Sequence, residues 1–113
     1  MPIPAEQVLI AEVGLAAFAG RVPEHVRDKV QIRYRRDRNS FVLFEWRPRM
    51  FAPHEWAESP VAKFTYIATR QTWKLLRMDR HLRWRKYEWA DETADLGLLL
   101  QEVDHDPYCF FWG

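Results

Sequence analysis

Residues 73–87, WKLLRMDRHLRWRKY, alternate apolar and basic side chains on either side of a short break, and this pattern most narrows the folds open to the chain. A period of two belongs to a strand with one buried face, and two such runs around Met78-Asp79-Arg80-His81 read as an antiparallel pair. On the first run Trp73 and Leu75 take one side, Leu76 and Met78 the other. On the second, Leu82 and Trp84 are expected to face the core, with Arg83, Arg85 and Tyr87 facing away.

The same period appears upstream. In QIRYRRD, residues 31–37, Ile32 and Tyr34 point one way and Arg33 and Arg35 the other. Asp37-Arg38-Asn39-Ser40 supplies turn residues, and FVLFEW follows as a β-branched and aromatic strand. Phe41 to Phe44 is continuously apolar, which suits a central strand covered on both faces. In residues 61–67, Phe64 and Tyr66 oppose Lys63 and Thr65, and residues 68–71 turn the chain into the Trp73 strand. The expected fold is therefore α+β, a five-stranded antiparallel meander sheet flanked by N-terminal helices and one C-terminal helix.

The N-terminal helix is expected over residues 5–19, with Val8, Leu9, Leu15, Ala16 and Ala19 on its buried face, Pro4 in its first turn and Gly20 at its C-cap. Gly14 lowers the propensity of that helix, which marks a place of close packing. A shorter helix follows Val22, with Pro23 at its start and Val26 and Val30 on one side. At the other end, Asp91, Glu92 and Asp95 precede Leu96, Leu99, Leu100 and Val103 at helical spacing. Pro107 stops that helix, beside a cap formed by His105 and Asp106. The tail Tyr108-Cys109-Phe110-Phe111-Trp112-Gly113 is too apolar to stay in water, and docks on the body or on a second copy. Between these parts RPRMFAPHEWAESP, residues 47–60, has three prolines and no sustained period, and reads as a long irregular connection.

Length and composition bound the rest. A chain of 113 residues with 48% hydrophobic and 29% charged residues is one globular domain, residues 1–113. A single cysteine, Cys109, makes no internal disulfide and suits a reducing compartment. No signal-peptide pattern opens the chain and no apolar run is long enough for a membrane span, so the expected location is cytoplasmic, with no membrane partner. The net charge of +1 hides segregation: residues 27–86 hold sixteen Lys/Arg against six Asp/Glu, while residues 87–113 hold seven Asp/Glu and no Lys or Arg. Either the acidic segment neutralises the basic sheet, or the two signs face different ways.

Catalytic and cofactor chemistry finds little footing. His25, His54, His81 and His105 lie in separate segments without metal-ligand spacing, so no metal and no cofactor are expected. The four glycines are scattered, which excludes a phosphate-cradling loop. Cys109 sits among Tyr108, Phe110 and Phe111, which are expected to bury it and keep it inert.

RVPEHVRDKV at residues 21–30, RNSFVLFEWRP at 38–48, WAESPVAKFTY at 56–66, WKLLRMDRHLRW at 73–84 and EVDHDPYCFFWG at 102–113 together resemble a bacterial family of domains of unknown function, number 3024. The resemblance implies small bacterial proteins and carries no catalytic residues. One departure lies at His81-Leu82, where the family pattern implies a small polar residue such as Asn or Gly.

Two functions follow as expectations. The first is a non-catalytic protein-interaction or self-association domain, working through Phe51, Trp56, Phe111 and Trp112. The alternative is nucleic-acid binding through a basic, aromatic sheet face formed by Arg33, Arg35, Lys74, Arg83 and Arg85. An enzyme built on His54 or His81 with nearby carboxylates is a third.

Overall fold

The computed structural model describes residues 2–112; Met1 and Gly113 lie outside the described residues. Helix α1, Ala5–Ala19, leads through a short 3-10 turn, Glu24–Val26, into strands β1 Gln31–Asp37, β2 Ser40–Arg49, β3 Ala52–Ile67, β4 Thr72–Met78 and β5 Trp84–Lys86, and helix α2 Leu96–His105 follows. The strands form one antiparallel sheet in the order β1-β2-β3-β4-β5, the meander expected from the alternating segments.

Alternation sorts the sheet into two faces. Ile32 and Tyr34, Phe41 and Leu43, Phe64 and Tyr66, and Trp73 and Leu75 share the face that meets both helices. Their core is aromatic: Trp73 lies 5.0 Å from Tyr66 and 6.2 Å from Phe41, centroid to centroid. The Trp73 indole N–H finds a partner in the Gln7 side chain of α1, so the core's largest residue leaves no stranded donor. From α2, Leu96, Leu99, Leu100 and Val103 are buried, as their spacing indicated, and Asp95 caps the helix by accepting from the Gly97 N–H.

The buried stripe of α1 differs from the expected one. Ala11, Leu15 and Phe18 are buried, while Leu9 and Ala16 face solvent. This helix is apolar on nearly every side, so periodicity alone cannot choose a face. Contact with α2 chooses it: a Cβ at Gly14 would stand 3.2 Å from Leu100 Cδ1. The second N-terminal helix is only the 3-10 turn, with Pro23 preceding it.

Residues 47–60 are strand on either side of a short turn rather than one long loop, although the register jumps between Pro48 and Arg49 and passes over Pro53, His54 and Glu55. β2 runs on to Arg49 and β3 begins at Ala52, so a two-stranded arm turns at Met50-Phe51. β1 pairs β2 no further than Trp46, and β4 pairs β3 no further than Ala62, so the arm has no third strand. Prolines that would disrupt a central strand are accommodated where the edges are free, and Pro48 sits opposite Trp56. Trp46 and Trp56 stack at 6.3 Å, and ion pairs join Arg47 to Glu45 and Arg49 to Glu55. The arm accompanies a long axis of 45 Å, against 28 and 24 Å across.

The β4–β5 connection reverses the expected facing of the last strand. Asp79 accepts hydrogen bonds from the His81 and Arg83 N–H groups, a local turn that places Leu82 at φ 60° with 78% of its surface exposed. Trp84 then pairs with Met78 and Arg85 with Arg77, so Trp84 leaves the helix-covered face and Arg85 joins it. Beyond the strand, Tyr87 is buried rather than outward, its hydroxyl donating to Glu102 at 2.6 Å. Burial and then that carboxylate push the phenol well above its ordinary range.

The tail docks on its own chain. Asp106, at φ 44°, ends α2 and accepts from the Phe111 and Trp112 N–H groups; the Trp112 indole donates to the Val103 carbonyl and stacks on Phe18. Phe111 is buried. Cys109, expected to be buried by its aromatic neighbours, is exposed at φ 59°, because the turn that tucks Phe111 inward points the preceding thiol out.

A leucine in the left-handed region costs about 1–2 kcal/mol that Asn or Gly largely avoids. Leu82→Asn should therefore raise stability by about 1 kcal/mol in urea unfolding, and Leu82→Val should lower it. An unchanged or lowered midpoint for Leu82→Asn would contradict the turn described here.

Candidate nucleic-acid interface

The face of the sheet away from the helices gathers cations and indoles. Arg33 and Arg35 on β1, Lys63 on β3, Lys74 on β4 and Lys86 on β5 share it with Val42, Phe44, Trp46, Trp56, Leu76 and Trp84. Val42 and Phe44 are buried here although no helix covers them. Their cross-strand neighbours explain it: Val42 lies between Arg35 and Lys63, and Phe44 beside Arg33, whose aliphatic stems shield apolar surface while their charged ends stay in water.

Several of the cations are already oriented. The Arg33 guanidinium lies 5.1 Å from the Trp46 ring centroid and donates to the Gln31 side-chain oxygen at 2.9 and 3.1 Å. The Lys63 ammonium stands 5.9 Å from the Trp84 ring and 3.7 Å from Asp37. Arg35 is paired with Glu58 at 3.1 Å. Lys74 and Lys86 have no carboxylate within ion-pair distance among the described residues.

The acidic C-terminal segment does not cover this face. Among the described residues its carboxylates pair Asp104 with Arg21, Glu88 with Arg77 and Glu92 with Arg70, and Glu102 takes the Tyr87 hydroxyl. Glu92 comes to the margin of the open face, where Arg70 and Thr72 hold it and Arg70, with a smaller contribution from Lys86, keeps its carboxyl below the usual range. The C-terminal acids thus neutralise Arg21, Arg70 and Arg77 and leave Lys74 and Lys86 of the open face without an ion-pair partner among the described residues.

Of the five cations singled out from the sequence, Arg33, Arg35 and Lys74 come together. Arg83 is exposed in the β4–β5 turn, and Arg85 is paired with Asp79 at 2.9 Å on the other side of the sheet. Lys63, Lys86, Trp46 and Trp84 complete the face. Lys63 was visible in its alternation with Phe64; Lys86 and Trp84 were hidden by the extra residue the turn absorbs. Of the four residues expected to meet another protein, Phe111 and Trp112 are engaged inside the fold, Trp56 is half-buried against Trp46, and Phe51 stands 95% exposed. His54 projects from the arm and His81 from the turn, both exposed. No group of three or more candidate metal ligands occurs among the described residues, and no helix is long and apolar enough to cross a membrane.

These features define a small α+β protein that buries one side of a meander sheet and leaves the other open, cationic and aromatic. The chain belongs to the family described as Domain of unknown function (DUF3024), whose pattern matches residues 5–113. No curated protein and no solved structure matches it.

Asp79 organises the edge of this region. The Arg85 side chain and the Arg83 and His81 N–H groups lower its carboxyl from 3.8 to about 2. Its ionised form thus contributes stability above 3.8 that is lost as pH falls toward about 2. Asp79→Ala should flatten the acid limb of a stability profile measured by urea unfolding at successive pH values. A variant that lost stability over the same range as steeply as the parent would contradict this role.

Proposed function

We propose that the protein is a non-catalytic binding module whose open sheet face takes single-stranded nucleic acid. The observation that carries this is the one-sided cover of the sheet: the helices and the aromatic tail pack on one face, and the other holds Arg33, Lys63, Lys74 and Lys86 interleaved with Trp46, Trp56 and Trp84. Neighbouring strands lie about 4.8 Å apart, so a backbone crossing the sheet meets cations on β1, β3, β4 and β5, with the Trp46 indole of β2 between the first two. Indole rings offer every base a stacking surface, worth about 1–3 kcal/mol per base. The Arg33–Trp46 and Lys63–Trp84 contacts hold charge and ring together before any ligand arrives, which lowers the ordering cost of binding.

Fluorescence anisotropy with a labelled oligothymidylate is the direct test. Binding should weaken steeply as salt rises from about 50 mM to about 200 mM, and Lys74→Glu with Lys86→Glu should abolish most of it, while Lys74→Ala alone should reduce the salt slope by about 0.7. Absence of binding at low salt, or binding indifferent to the Lys74/Lys86 pair, would overturn the proposal.

A further inference from the structure

We propose that two copies of the chain associate by exchanging arms, the Met50-Phe51 tip of each seated in an apolar hollow at the foot of the other's arm. The two halves of this contact are present on every molecule. Met50 is 86% and Phe51 95% exposed, at a turn where Gly, Asn or Asp is the usual choice. A pair of large apolar side chains at the far end of a charged arm serves the folded monomer nothing, because the turn makes no use of either ring or thioether for burial.

The receiving site is a hollow of about 460 Å³ walled by Phe18, Val22, Val26, Val30, Ile32 and Trp112. It has room for both tip side chains. Its position matters most: Ile32 is paired with Glu45, close to where β2 leaves the five-stranded part of the sheet and the arm begins. From Glu45 to Met50 the arm spans about 17 Å at the usual strand rise. Two arms lying side by side in opposite directions about a two-fold axis would therefore set each tip over the other's foot. One axis satisfies both contacts, which closes the assembly as a dimer rather than a filament.

Charge leaves this placement to the apolar contact: Arg49 immediately precedes the tip, held at 3.6 Å by Glu55, and the wall of the hollow carries Arg21 and Asp104 already paired with each other at 3.1 Å. The arm's free edges carry Arg47, Pro48, Arg49 and Pro53, which discourage strand-to-strand pairing and leave insertion of side chains as the mode of contact. A second copy is the occupant because knob, hollow and the distance between them belong to one chain.

The experiment uses the full chain without nucleic acid, so its outcome is separate from that of the binding proposal. Sedimentation equilibrium between about 1 µM and about 1 mM should give a monomer–dimer equilibrium. Phe51→Ser should weaken it at least about tenfold, as should Val26→Lys in the hollow. Phe51 is too exposed for its replacement to unfold the protein. In a Cys109→Ser background, Phe51→Cys mixed with Val26→Cys should yield a disulfide-linked pair under mild oxidation. A strict monomer throughout, a dimer insensitive to Phe51→Ser, or linkage of Phe51→Cys chains only to each other would overturn the proposal.

Discussion

A sheet must bury at least one face, and among the described residues the helices and tail cover only one. α1 from one end and α2 with its tail from the other converge on the same side, over Trp73, Phe41 and Tyr66. Every other feature depends on that allocation. The uncovered side keeps apolar residues beneath Arg and Lys stems instead of beneath a helix, so its cations are a structural necessity as well as a binding resource. A residue such as Arg35 shields Val42 and pairs with Glu58 at once, whereas Lys74 and Lys86 lack such a partner among the described residues.

The acidic end of the chain illustrates the same economy. Its carboxylates serve local ends on the covered side: Asp95 caps α2, Asp106 gathers the backbone of the tail, and Glu102 satisfies the buried Tyr87 hydroxyl. Each is used where a backbone N–H or a phenol would otherwise be stranded. Charge segregation along the sequence therefore becomes local pairing in space: Arg21, Arg70 and Arg77 take Asp104, Glu92 and Glu88, and Lys74 and Lys86 are left on the open face without a carboxylate at ion-pair distance among the described residues.

The five antiparallel strands of the meander and the burial of α2 were legible because they rest on period and local propensity. What was not legible turns on single residues. One residue of difference in the Asp79–Arg83 turn inverts the facing of Trp84 and Arg85, and nothing in an alternating pattern reveals which residue the turn absorbs. Leu82 in a left-handed conformation is the clue, and it is visible only against the small polar residue that such a geometry favours. The arm escaped notice because prolines ordinarily argue against strands; a ribbon with both edges free removes that objection. The buried stripe of α1 was hidden by excess, since a helix apolar all round offers no contrast. Phe111 and Trp112 were identified as needing cover, but whether one's own chain or another supplies it depends on the Asp106 turn.

The central claim is that the sheet is covered on one side only, and hydroxyl-radical footprinting resolved by peptide mass spectrometry tests it most directly. Trp46, Trp56 and Trp84 should be oxidised readily, and Phe51 fastest of the phenylalanines, while Trp73, Tyr87 and Phe111 stay protected until the protein unfolds. Rapid labelling of Trp73 or Phe111 in the native protein, or protection of Trp46 and Trp84 to the level of Trp73, would contradict it.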